Sequence, residues 1–377
     1  MKKLIWFAEI KWDYLVTRKQ QVLKRFPADW NILYIEPYVV GKKQHWLPHR
    51  QGNLTVLTIP FLKRVPQARI ASILDRRFVR ALFGLVGTIY FKFMSRVLGF
   101  SGKDRVVALS SAYWGKIAGR LTASFHFYDA NDAHLDFPGT PSWLREYLVA
   151  YLKVADLSFA VSPEIQNSVS KLGASNVQLL GNGVDYEHFS KPQTRPPELT
   201  HIDKPILGYA GAMDWLDATL VRKICLAYSD YEVVLLGPEI HPNWFADQAE
   251  FKDLPNLQYL GKVAYEKLPA FVQCFTVGLI PFVVDELTKP LNPNKLYEYS
   301  AADKPVVSMN YSSTINKLRE VIFVGNTHEE YLDQIQQAID SSNNPQRIAL
   351  AKENSWDFVA YTIVQTLLEE IEDSFAK

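Results

Sequence analysis

"PILGYAGAMDWLDATLVRKICLAYSDYEVVLLG", Pro205 to Gly237, is two apolar, β-rich runs with an amphipathic stretch between them. "PILGYAG" and "YEVVLLG" read as strands, and the intervening residues are numerous enough for a helix, so the segment is a β-α-β unit. Such units build parallel sheets flanked by helices. Gly208 and Gly211 bracket a tight strand-to-helix turn. Its amides either face an anion at the helix N-terminus or simply make a turn in which Asp214 is the N-cap.

The same alternation recurs along the chain. "LIWFA", "NILYIE", "LTVLTIP", "RVVALS", "SFHFYDA" and "LSFAVS" read as strands in the first half, and "LQYLG", "FTVGLIP" and "PVVSM" continue the series in the second. The expected fold class is α/β, two Rossmann-like lobes facing a central cleft, with ligands at the carboxyl ends of the strands. A length of 377 residues suits two domains. "SKPQTRPPELTHIDKP", residues 190–205, has four prolines and the composition of a linker. The expected domains are therefore 1–195 and 204–377, the last helix being a candidate to pack back on the first lobe.

Hydrophobic residues make up 48% of the chain and charged residues 21%, enough to bury a core without staples. The two cysteines, Cys225 and Cys274, sit in apolar stretches and read as free thiols of a reducing compartment. In "MKKLIWFAEI", Glu9, followed by Lys11 and Asp13, interrupts the apolar run before a signal-peptide core forms. The longest apolar run, "ALFGLVGTIYF" from Ala81 to Phe91, is closed in by Arg80 and Lys92 and is shorter than the roughly 20 residues a span needs. A cytoplasmic protein without a membrane span is expected.

The net charge of +1 hides a division. Residues 1–195 carry 27 Lys and Arg against 14 Asp and Glu, a net of +13, and the remainder carries −12. Ten of those cations, with two acids, fall between Lys63 and Arg105, interleaved with Leu, Phe, Val and Tyr at helical spacing. Such a segment is either a core helix with a basic solvent face or a surface for anionic lipid. No nucleic-acid module accompanies the charge, so nucleic acid is not an expected partner.

The Walker phosphate loop and the G-x-G-x-x-G fingerprint are absent, and the eight histidines lack ligand spacing. Hydride transfer and nucleotide hydrolysis are disfavoured, and no metal or cofactor is expected. What remains is a series of loops: "NGVDYEHF" (182–189), "GYAGAMDWLD" (208–217), "VVLLGP" (233–238) and "NKLYEYSAADKPVVS" (294–308). In order and spacing these resemble nucleotide-sugar glycosyltransferases of the GT-B fold, family 4 and its relatives, over nearly the whole chain. "FHFYDANDAHLDFPG" (125–139) is similar to a segment of a bacterial subgroup that builds surface polysaccharides.

The resemblance implies a nucleotide-diphosphate sugar as donor and a glycan or lipid-linked acceptor, with the enzyme peripheral on the inner face of the membrane. It places Asn182, Gly183, Gly211, Asn294, Lys295, Tyr297 and Glu298 at the donor. A departing diphosphate develops negative charge, which a lysine can meet where no metal is bound. Glu298 lies three residues on, on the same helical face, and is the resemblance's ribose ligand. The alternative is a solvated Lys/Glu pair.

Two departures stand out. The acid usually found before the ribose ligand, with seven residues between the two, is replaced by Pro290, leaving Glu286 nearby in a longer loop. After "GYAG" no cation occurs until Arg222. The resemblance favours retention of anomeric configuration, and these departures leave inversion open.

In the first half, Asp129, Asp132 and His134 follow a strand-like run. An acid there would take the proton of an acceptor hydroxyl, which an inverting displacement requires, or hold that hydroxyl in position. Asp132 is the first candidate and His134 the second, against the reading that the acids cap a turn and His134 packs in a loop. A nucleotide-sugar epimerase of the same fold and a non-enzymatic bilobal binding protein are the competing functions.

Overall fold

The computed structural model describes residues 2–62, 75–341 and 344–376. They form two compact units, the first comprising residues up to Leu180 with those from Ala360 onward, the second Gly181–Val359. Each unit has its own sheet.

The first sheet contains β1 (Lys2–Phe7), β2 (Trp30–Tyr38), β3 (His49–Gln51), β4 (Leu54–Leu62), β5 (Val106–Leu109), β6 (Phe125–Ala130), β7 (Leu157–Ala160) and β8 (Val177–Leu179). Its order is β3-β4-β2-β1-β5-β6-β7-β8. Every pair is parallel except β3 with β4, which turn back through Gly52 at φ +60°. Leu4 of β1 pairs with Ile32 on one side and Val106 on the other, so the strand order reverses between β1 and β5.

The second sheet contains β9 (Ile206–Ala210), β10 (Glu232–Leu236), β11 (Leu257–Tyr259), β12 (Phe275–Ile280), β13 (Val306–Met309) and β14 (Phe323–Gly325). All its pairs are parallel, in the order β11-β10-β9-β12-β13-β14, and the reversal falls between β9 and β12. β5, β6, β7, β9, β10 and β13 are buried at every position, which is why most of them read as largely apolar runs rather than alternating ones, although β6 carries His126 and Asp129 and β10 begins with Glu232.

The proline-rich stretch behaves differently from a free linker. It lies in the second unit, where Leu199 and Ile202 join Phe189 in the core. Arg195 fastens it by donating to the carbonyls of Leu199 at 3.0 Å and Ile202 at 2.6 Å. Burial of an apolar pair and satisfied carbonyls tie the segment down despite its composition. The helix Trp356–Ala376 starts in the second unit, and from Ala360 its residues belong to the first.

The helix Arg77–Val97 is longer than the apolar run inside it suggests: it continues past both Arg80 and Lys92 for 21 residues. It is the one helix among the described residues long and apolar enough to cross a membrane. Gly87, Phe91 and Met94 face inward, and a Cβ at Gly87 would lie 3.2 Å from Ile59 of β4. Phe78, Leu82, Leu85, Ile89 and Phe93, spaced by three or four residues, form an exposed apolar stripe. A water-facing helix normally shows the opposite pattern. Residues 63–74 of the basic segment lie outside the described residues. Cys225 is buried, Cys274 is half-buried, and both are free thiols.

Candidate functional site

In open α/β sheets the carboxyl ends of the strands at the order reversal leave a crevice for ligand. At the reversal of the second sheet, β9 ends at Ala210 and β12 at Ile280, while β10, on the other side of β9, ends at Leu236. The Gly211 amide donates to the Leu236 carbonyl at 2.8 Å, and a Cβ on Gly237, which has φ +140°, would lie 1.8 Å from the Gly211 carbonyl oxygen. The two strand-end loops therefore touch backbone to backbone. Asp214 turns away to accept from the amides of Ile240 at 2.7 Å and His241 at 2.9 Å. The N-cap of the following helix, Ala218–Ala227, is Asp217 instead, accepting from the Leu220 amide at 3.0 Å.

Lys295 and Glu298 arrive at the same place on the helix Asn294–Ala301, which starts after Pro293. Lys295 Nζ stands 5.2 Å from the centroid of the Tyr209 ring and 4.7 Å from that of Phe282, at the ends of β9 and β12. A Cβ on Gly211 would come within 2.6 Å of Lys295 Cε, so the glycine makes the room the lysine occupies. Burial pulls the Lys295 ammonium down to about 8, with Glu298 opposing the shift. Burial lifts the Glu298 carboxyl to about 7, with Lys295 opposing. Glu298 is buried, and among the described residues its carboxylate has no hydrogen-bond donor, Lys295 being the one charge acting on it. A buried carboxylate in that condition carries a desolvation cost that hydroxyl donors from a ligand would relieve.

The other expected donor residues hold the scaffold. The Asn182 amide donates to Asn292 Oδ1 at 3.1 Å, Asn182 Nδ2 to the Asn292 carbonyl at 2.7 Å, and Asn292 Nδ2 to the Tyr297 hydroxyl at 3.2 Å. Gly183 packs with no room for a Cβ, which would lie 2.7 Å from the Asn354 carbonyl oxygen. Asn294 opens the helix that carries the pair. The Ala210 amide donates to the Tyr299 hydroxyl at 2.7 Å, fixing that helix to the end of β9. Asn292 and Tyr299 were not singled out from sequence, although Tyr299 lies within the motif and Asn292 two residues before it. Arg222 is committed to backbone carbonyls, Glu250 at 2.8 Å and Lys252 at 3.2 Å. Glu286 is exposed and pairs with Lys289.

The first unit has a cavity of about 610 Å³ at its own order reversal, lined by residues that follow β1, β2, β5 and β6. His134 lines it, and Glu9 lines it from the end of β1. Glu9 pairs with Lys19 and accepts from Ser110 Oγ at 3.0 Å. Asp132 is not in the cavity lining. Its carboxyl is pushed up by burial, with the His134 charge opposing and Glu9 adding, and it accepts from the Ala133 amide at 2.9 Å. Asp129 is fully buried and held by Arg18 Nε at 3.0 and 3.2 Å, a packing role. Glu9, with its signal of an acid directly after the first apolar run, was missed. No group of three His, Cys, Asp or Glu converges as a metal set among the described residues.

No protein-family model matches the chain. A protein of Bacillus subtilis (strain 168) named as a teichuronic acid biosynthesis glycosyltransferase, TuaH, is 27% identical over 154 residues, 40% of this chain and 38% of TuaH. Among solved structures, the E. coli trehalose-6-phosphate protein bound with UDP-2-fluoro glucose aligns over 97% of this chain and 99% of its own, with a TM-score of 0.70 and 12% identity. Sucrose-phosphate synthase of Thermosynechococcus elongatus aligns over 98% and 99%, with a TM-score of 0.70 and 12% identity. Anabaena HepE in complex with UDP aligns over 98% and 100%, with a TM-score of 0.67 and 14% identity. At these identities the likeness shows the fold: two parallel-sheet α/β units of the GT-B class.

Proposed function

We propose that the protein is a glycosyltransferase that moves a sugar from a nucleotide-diphosphate donor to a surface-glycan or lipid-linked acceptor. The observation that carries this reading is the Lys295/Glu298 pair at the sheet reversal: a half-buried lysine whose ammonium lies over two ring faces, beside a buried carboxylate with no hydrogen-bond donor among the described residues. Diphosphate charge is met by Lys295, and the ribose hydroxyls donate to Glu298. The named activity of TuaH and the UDP and UDP-sugar in the related structures support it and make UDP-sugars the first donors to try.

In the reaction the anomeric C–O bond of the donor breaks and the nucleotide diphosphate leaves with the electron pair, which Lys295 stabilises. A bond forms between the anomeric carbon and the acceptor oxygen, whose proton passes to a base of the first unit, Asp132 or His134. No metal or cofactor is invoked. That base-assisted displacement inverts the anomeric centre; the family resemblance favours retention, in which the acceptor attacks from the face the diphosphate leaves and its proton goes to the departing diphosphate. The exposed apolar stripe of the helix Arg77–Val97, flanked by arginines, supports attachment to an anionic membrane, the inner face for a cytoplasmic protein.

The test is incubation with a panel of nucleotide sugars and a membrane-lipid extract, assaying free nucleotide, isomerised sugar and sugar in the lipid or glycan fraction. Transfer with nucleotide release is expected. Isomerised donor without acceptor would make it an epimerase, and binding without either product a ligand-binding protein.

A further inference from the structure

The cavity of the first unit has a built cationic lip. Lys11 on its wall is neutralised by the buried Glu36 at 2.6 Å and donates to Gln44 Oε1 at 3.0 Å. Gln44 in turn donates to the carbonyls of Val39 at 2.6 Å and Lys42 at 2.5 Å, curling the loop after β2 around Gly41, whose φ is +75°. The curl sets Lys42 and Lys43 on the cavity lining, and among the described residues neither has a carboxylate partner. Beyond them the same loop exposes apolar residues: Val40 is 60% exposed, Trp46 41% and Leu47 81%. Trp46 stacks on Tyr38, and its carbonyl accepts from Tyr90 of the helix Arg77–Val97, joining the lip to the apolar stripe. Lys42 Nζ lies 5.9 Å from the centroid of the Tyr14 ring, and the one further acid of the lining besides Glu9 is Asp13, 3.8 Å from His45. Two ammoniums without a carboxylate partner among the described residues, on a loop that also exposes apolar side chains, complement an anion on a hydrocarbon chain.

We propose that this cavity binds the phosphate head of an amphiphile, with Lys42 and Lys43 on the phosphate and Val40, Trp46 and Leu47 along the chain. Calling that amphiphile the carrier of the acceptor rests on the glycosyltransferase reading; the site itself does not. A soluble sugar phosphate has the same anion, but no use for the apolar rim.

The test is calorimetric titration of the full-length protein, without nucleotide, with farnesyl phosphate below its micellar concentration, farnesol, hexose 6-phosphate and inorganic phosphate. Charged hydrogen bonds of ordinary strength put farnesyl phosphate about tenfold or more ahead of each of the others. Replacing Lys42 and Lys43 together by Ser should lower farnesyl phosphate to the farnesol level, leave farnesol binding unchanged and leave the melting temperature in place. Val40→Ser with Leu47→Ser should lower it to the level of inorganic phosphate. Absence of farnesyl phosphate binding, undiminished binding by the double lysine variant, or hexose 6-phosphate binding equally well would overturn the proposal. UDP titrated into the same preparation separates the two readings. Farnesyl phosphate binding without UDP binding keeps this site and removes the transferase, and the converse removes this site alone.

Discussion

The Lys295/Glu298 pair makes donor affinity depend on pH in a direction that can be worked out beforehand. Diphosphate needs the ammonium charged, and ribose hydroxyls need the carboxylate ionised. Burial has moved both groups towards neutrality, the lysine down to about 8 and the glutamate up to about 7. Below about 7 a proton must leave Glu298 before ligand binds, and above about 8 one must be gained by Lys295. Each limb then falls about tenfold per pH unit, or ~1.4 kcal/mol. Affinity should peak between the two values. A UDP-sugar suits the assay because its diphosphate is esterified at both ends and does not titrate in this range. Isothermal titration from pH 6 to pH 9 would show about tenfold weaker binding at each extreme than at the peak. Glu298→Gln should flatten the acid limb and, by removing the partner that supports the lysine charge, move the alkaline limb to lower pH. Lys295→Met should flatten the alkaline limb. Each variant should lose roughly 1.5–3 kcal/mol at the wild-type peak, about 10- to 150-fold. An affinity flat across the range, or unchanged in both variants, would refute the reasoning.

Gly211→Ala and Gly237→Ala should differ in what they cost: the first meets the flexible end of Lys295 at 2.6 Å and the buried Tyr209 hydroxyl at 2.7 Å, the second meets backbone at 1.8 Å with φ +140°. Donor affinity should fall about tenfold in the first, with a smaller loss of melting temperature than in the second, while thermal melts should show the second destabilised by about 3 kcal/mol or more. Asp132→Asn keeps size without basicity, so turnover should fall about 10²- to 10⁴-fold with donor affinity intact; retained turnover moves the base to His134. Replacing Arg76, Arg77 and Arg80 by Ser should weaken flotation with anionic vesicles by about 2 kcal/mol, because Arg80 sits 4.7 Å over the Trp143 ring rather than facing outward. Equal flotation of the triple variant would argue against lipid contact there.

The sheets were legible wherever a strand is buried on both faces, since a run such as "VVAL" or "EVVLL" leaves little else to read. β3, β8 and β14, each three residues long, were not, and β3 is exposed throughout. Lys295 and Glu298 were singled out through the resemblance, and helical spacing put them on one face; the helix Asn294–Ala301 carries both. Gly211 was legible as a turn but not as the space for Lys295, which depends on a packing contact across the sheet end. The cap assigned to Asp214 went to Asp217 because the chain first makes a 3₁₀ turn, Met213–Trp215. Lys42 and Lys43 carried no pattern at all; their placement comes from Gln44, a side chain whose bonds to Val39 and Lys42 no periodicity announces.

The central claim is that a nucleotide diphosphate is held by Lys295 and Glu298. A crystal structure with UDP bound tests it most directly. The account predicts a diphosphate oxygen within hydrogen-bond reach of Lys295 Nζ and the ribose hydroxyls on the Glu298 carboxylate, about 2.7–3.0 Å apart in each case. UDP seated elsewhere, or a saturated crystal with none at this helix, would contradict it.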